Sequence, residues 1–173
     1  MNRVAFIACF ISLFSLIGPS CAQTKDQKIA AIRQEFRKIN SDSTMTPFTL
    51  DDPEDFLGHA TDGGAELTGS FKNDKLIKIA FSVGVSYGEK NREYYFRNGK
   101  LIFVFETEKD FPPDSLGNIG KLSLAFEGRY YFDNDKLIHN IKKGKRLIQE
   151  DTSPQELLDE AAEFSKILKA RRK

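Results

Sequence analysis

The sequence predicts an α+β domain: an antiparallel meander sheet of about six strands, built as three hairpins, with an N-terminal and a C-terminal helix packed on one face. Three observations lead there. One phrase occurs three times, as Phe71-Lys72-Asn73-Asp74-Lys75-Leu76-Ile77, Phe96-Arg97-Asn98-Gly99-Lys100-Leu101-Ile102 and Phe132-Asp133-Asn134-Asp135-Lys136-Leu137-Ile138. Its Asn-Gly or Asn-Asp pair can hold positive φ at two successive positions, which a type I′ hairpin turn requires. Around these turns apolar and polar residues alternate, as in strands with one buried face. Two other segments repeat apolar residues every three or four positions, the helical period.

Taken in order, Met1-Asn2-Arg3 and the uncharged run Val4–Ile17 form a positive start and an apolar stretch too short to span a bilayer comfortably. Residues 1–22 therefore read as a secretory signal peptide, with Ser20 and Ala22 at the small positions before a cut at Gln23. Cys21 sits where a lipoprotein signal carries its acylated cysteine, but Gly18 stands where such signals carry a branched apolar residue. The reading taken is a soluble periplasmic or secreted protein; the alternative is lipid anchoring at the envelope through Cys21, the only route to the membrane. Residues 23–173 read as a single domain.

Within that domain, Thr24-Lys25-Asp26-Gln27 is a capping box, and Ile29, Ile32, Phe36 and Ile39 mark an amphipathic helix ending near Asn40. Ser41–Gly64 reads as a long loop, with at most a short strand around Phe48 and a helical turn from Pro53 to Phe56 capped by Asp52. The sheet is expected from Ala65. Flanking a two-residue turn, Phe96 faces Leu101 and Phe132 faces Leu137; strict alternation adds Tyr94, Phe103 and Phe105, then Leu122, Leu124, Phe126 and Tyr130, to that buried side. The first hairpin conflicts, because Ile77, Ile79, Phe81, Val83 and Val85 fall opposite Leu76. Either a bulge near Gly69 or Gly84 flips the register, or both faces of that strand are covered. Ser153-Pro154-Gln155-Glu156 then starts a second helix with the stripe Leu157, Leu158, Ala161, Phe164 and Leu168.

The phrases Thr61-Asp62-Gly63-Gly64-Ala65-Glu66, Tyr87-Gly88-Glu89 and Glu93-Tyr94-Tyr95-Phe96-Arg97-Asn98-Gly99-Lys100-Leu101 resemble a family of small exported proteins of Gram-negative bacteria, across roughly the whole of residues 23–173. No activity is implied by that likeness. The tyrosine-rich phrase before an Asn-Gly-Lys turn is also similar to variant MORN-type repeats, which are shorter and more regular.

The chain has 26 basic and 25 acidic side chains, and Arg3 is the one charge within residues 1–22, so the rest is neutral. Neutrality argues against nucleic acid as partner. The two cysteines, Cys9 and Cys21, both precede the expected cut, leaving no disulfide or thiolate chemistry. No S-x-x-K, H-E-x-x-H or phosphate-loop motif occurs and no strand-to-helix serine elbow is read, so no catalytic, cofactor-binding or metal residue is assigned. His139 is expected opposite Tyr130 on the buried side, and His59 in an acidic loop with Asp51, Asp52, Glu54, Asp55 and Asp62 that reads as solvated. Lys142-Lys143-Gly144-Lys145-Arg146 reads as a solvated basic turn.

What remains is surface. Tyr95, Ile102, Val104, Tyr131 and Ile138 are expected on an outer sheet face, open to a partner unless the long loop or a homodimer covers it. Phe111, in a stiff Phe-Pro-Pro loop, completes the candidate binding surface. The expected function is an exported cell-envelope binding or protein-interaction domain without catalytic activity. Its alternative is a carboxylate-dependent hydrolase, marked by two carboxylates within about 10 Å in a deep pocket.

Overall fold

A computed structural model describes residues 23–112, 116–146 and 152–172. The signal segment and Cys21 lie outside the described residues, as does Pro113. The order is α1 (Lys25–Asn40), β1 (Thr46–Leu50), α2 (Glu54–Leu57), β2 (Ala65–Lys72), β3 (Lys75–Val85), β4 (Gly88–Arg97), β5 (Lys100–Asp110), β6 (Ser123–Asp133), β7 (Lys136–Gly144) and α3 (Pro154–Arg171). All seven strands form one antiparallel sheet in sequence order, one more than about six. The addition is β1, a five-residue edge strand within the expected loop, containing Pro47. Proline suits an edge, where a missing N–H breaks no inner ladder.

Local chemistry sets the helix ends. Thr24 and Gln27 exchange side-chain and backbone bonds at the start of α1, and Ser153 and Glu156 do the same at α3. Asp52 accepts from the Glu54 N–H at 3.0 Å before α2. The three turns hold positive φ at both central residues: Asn73 and Asp74, Asn98 and Gly99, Asn134 and Asp135.

The decisive departure from alternation comes one residue after each turn pair. Phe71 pairs with Leu76 but Ser70 with Lys78; Phe96 pairs with Leu101 but Tyr95 with Phe103; Phe132 pairs with Leu137 but Tyr131 with His139. Ile77, Ile102 and Ile138 are thus each an extra residue, a β-bulge at the same place in every repeat. Each bulge turns the rest of its strand over. That resolves the conflict in the first hairpin: Ile79 and Phe81 share the face of Leu76, and the bulge is at Ile77 rather than near Gly69 or Gly84. It also overturns the expected facing of Phe103 and Phe105, which lie on the opposite side from Leu101, and of His139, whose ring stacks on Tyr131 at 5.7 Å.

Both faces are therefore apolar, and the helices divide them instead of sharing one. On one face α3 lays Leu157, Ala161, Phe164 and Leu168 against Phe71, Phe81, Tyr94, Val104 and Phe132, with Phe56 of α2 filling the corner beside Phe81. On the other, α1 lays Ile29, Ile32 and Ile39 against Tyr95, Ile102, Phe103 and Tyr131, and Phe36 meets Tyr95 and Phe103 edge-on at 5.0 and 5.2 Å. Tyr94 and Tyr95, adjacent on β4, point into different cores, as strand geometry requires.

The turn geometry is directly testable. Gly99 sits at φ 76°, so Gly99→Val should cost about 1–3 kcal/mol in urea unfolding, because a β-branched residue resists that conformation. Valine at Asp74 or Asp135, where aspartate already bears part of the strain, should cost less.

Candidate functional site

Residues paired across the sheet on the α1 face form rows, and the rows change character along the strands. The row Lys78–Tyr95–Phe103–Tyr131–His139 lies under α1. One step on, the row is Ala80–Glu93–Phe105–Arg129–Ile141, and beyond it Glu66–Ser82–Asn91–Thr107–Glu127–Lys143. Apolar side chains give way to polar ones where α1 ends its cover, so the second half of this face stays open.

At that boundary a cleft of about 500 Å³ runs between α1 and the sheet. Phe103, Phe105 and Tyr131 floor it, Phe36 forms the back, and three guanidinium groups, of Arg33, Arg37 and Arg129, ring it. Arg33 Cζ lies 5.5 Å from the Tyr131 ring centroid and its Nε donates to the Tyr131 hydroxyl at 3.3 Å. Arg37 Nε donates to the Arg33 carbonyl at 3.3 Å. Arg129 Cζ lies 5.6 Å from the Phe105 centroid, with its Nε 3.1 Å from Glu127. Among the described residues no carboxylate pairs with Arg33 or Arg37, while Arg129 pairs with Glu127. A second cleft, about 320 Å³, adjoins it through Phe105 and is lined by Glu66, Ser82, Asn91, Glu93 and Thr107.

The expected binding surface fares differently. Tyr95, Ile102 and Tyr131 are buried under α1 and Ile138 packs against the same core, so α1, rather than the long loop or a second copy, covers them. Val104 lies on the other face beneath α3, because the Ile102 bulge shifts it there. Phe111 is exposed, as its loop position implied. His59 is exposed, with Nδ1 2.9 Å from the Ala60 carbonyl, and among the described residues no group of three or more His, Cys, Asp or Glu converges on a metal position.

Arg146 is the correction within the basic cluster. Far from being solvated, it enters the α3-side interior, its Cζ 4.0 Å from the Phe126 centroid, and binds Glu106 at 2.7 and 3.1 Å and Glu108 at 2.6 Å. Glu106, fully buried, also accepts from Arg92 Nε at 2.9 Å and from the Tyr130 hydroxyl at 3.1 Å. Arg92 reaches on to Glu160 and, at 2.7 Å, to the Thr152 hydroxyl. One Arg146 nitrogen bridges Glu106 and Glu108, so a close carboxylate pair exists. Its chemistry is that of a structural knot. Burial alone would raise the Glu106 carboxyl, but bonding to Arg146 and the charges of Arg92 and Lys90 bring it down to about 2, leaving it ionised and no proton donor near neutral pH. Neither Glu106 nor Glu108 lines either cleft above.

Sequence reasoning missed the arginine cleft, although part of its signal was available. Arg33 and Arg37 stand four apart on a helix and so share a face, and Arg129 alternates with Tyr131. What joins them is the bulge at Ile102, which places Phe103 and Phe105 beneath them. Comparison with protein-family models, curated proteins and solved structures returns no match.

The knot yields a prediction with a definite sign. The folded pKa of Glu106, about 2, lies below the unfolded value of about 4.3, so its stabilisation is present above about pH 4 and is lost as pH falls through 2. Glu106→Gln should destabilise by about 3–5 kcal/mol near neutral pH by leaving Arg92 and Arg146 short of a carboxylate. In urea titrations the gap from wild type should narrow between about pH 4 and 2.

Proposed function

We propose that this is an exported cell-envelope domain that binds rather than transforms its ligand, and that the cleft beneath α1 is where it binds. The observation that carries this reading is three guanidinium groups, two of them without carboxylate partners among the described residues, around a floor of three aromatic rings. Guanidinium groups recognise carboxylates and related oxyanions by paired hydrogen bonds, and aromatic faces take a planar or apolar body. The ligand class is thus a small organic anion with an apolar part. Export follows from the character of residues 1–22, with soluble release preferred over anchoring at Cys21. The hydrolase alternative needs an acid that can give up a proton, and buried Glu106 is held ionised by Arg92 and Arg146.

Isothermal titration with 2-naphthoate and with 2-naphthalenemethanol, its neutral counterpart in shape, separates charge recognition from apolar contact. Naphthoate should bind at least about tenfold more tightly. Arg33→Gln together with Arg37→Gln should remove that difference while leaving the urea midpoint close to wild type, since both side chains are exposed. Equal binding of the two compounds would contradict the proposal.

A further inference from the structure

The first cleft is ringed by three arginines, and the adjoining one holds Glu66, a carboxylate with no cationic partner among the described residues. Resting on the reading of the arginine cleft as a ligand site, we infer that the two form one trough for a short peptide with both termini free. Its carboxylate lies among Arg33, Arg37 and Arg129, its backbone crosses the polar row, and its ammonium meets Glu66.

Phe105 is common to both clefts and is registered between Glu93 on one side and Arg129 on the other. Glu93 is already engaged, with Lys78 Nζ at 2.5 Å and the Tyr95 hydroxyl at 2.7 Å. Glu66 is different: it is exposed, accepts only the Thr68 hydroxyl at 3.1 Å, and has no cationic partner among the described residues. Between Glu66 and the arginines stand Ser82, Asn91 and Thr107; the Asn91 amide nitrogen already donates to Glu89, and its carbonyl and the two hydroxyls suit amide groups.

Length follows from strand spacing. Glu66 on β2 and Arg129 on β6 are four strands apart, roughly 19 Å at about 4.8 Å per strand. The Arg129 guanidinium lies over Phe105 of β5, which leaves roughly 14 Å, and four extended residues cover that at about 3.4 Å each. An apolar C-terminal side chain falls over Phe105 and Tyr131. An anion lacking an ammonium group would use only half of this arrangement.

The test titrates the full chain with unblocked Ala-Ala-Ala-Phe, its N-acetyl form and its C-terminal amide, alongside 2-naphthoate. The unblocked peptide should bind tightest, with each block weakening it about fivefold or more. Glu66→Gln should erase the acetylation penalty and leave the amidation penalty; Arg37→Gln should shrink the amidation penalty and leave the other. If naphthoate binds while acetylation costs nothing, or while no peptide binds, the peptide inference is overturned and the anion cleft stands. If amidation costs nothing and naphthoate fails to bind, both fall together. A Glu66→Gln variant that weakens unblocked and acetylated peptides equally would overturn the ammonium contact.

Discussion

The structure depends on a one-residue bulge repeated three times. A two-residue turn fixes which residues face each other beside it, and without a bulge the whole apolar set of a hairpin would lie on one side. The extra Ile77, Ile102 and Ile138 break that rule at a common position. Near the turns each hairpin presents large side chains to both faces, Leu101 to one and Ile102 with Phe103 to the other. A sheet apolar on two sides needs two covers. The chain supplies one from each end, α1 and α3, giving three layers instead of two.

The covers are unequal, and the difference creates the site. Alongside α3, the far end of its face closes over the Arg92–Glu106–Arg146 knot, so charge there is internally paired and dry. On the α1 face the outer rows are polar but only partly paired, and they remain open. A buried ion network of this kind adds little net stability over apolar packing, though breaking it is costly. Arg33 and Arg37 on α1 are exposed, and among the described residues neither has a carboxylate partner.

Much of the fold was legible in the sequence because it is local. The capping residues Thr24 and Ser153, the positive-φ pairs at the turns and the helical stripes act within a few residues of where they stand. The bulges were not legible, because an isoleucine after Lys-Leu fits plain alternation equally well and only cross-strand pairing reveals it as surplus. From that one ambiguity follow the misplaced Phe103, Phe105, Val104 and His139, and the expectation of helices on one face. Arg146 misled for another reason: three exposed lysines stand just before it in sequence, while its partners Glu106 and Glu108 lie some forty residues earlier. Long-range pairing also hid the cleft, whose arginines belong to α1 and β6 and meet only once the sheet has formed.

The most direct test of this account asks which helix each of two neighbouring tyrosines touches. Aromatic nuclear Overhauser spectra of the folded chain should connect Phe36 with Tyr95 and Phe103, whose ring centroids lie within 5.2 Å of it, and Phe164 with Tyr94 and Phe81. No cross-peak should join Phe36 to Tyr94. Contacts from Phe36 and Phe164 to the same tyrosine would place both helices on one face and contradict the bulged, two-sided sheet on which the candidate site rests.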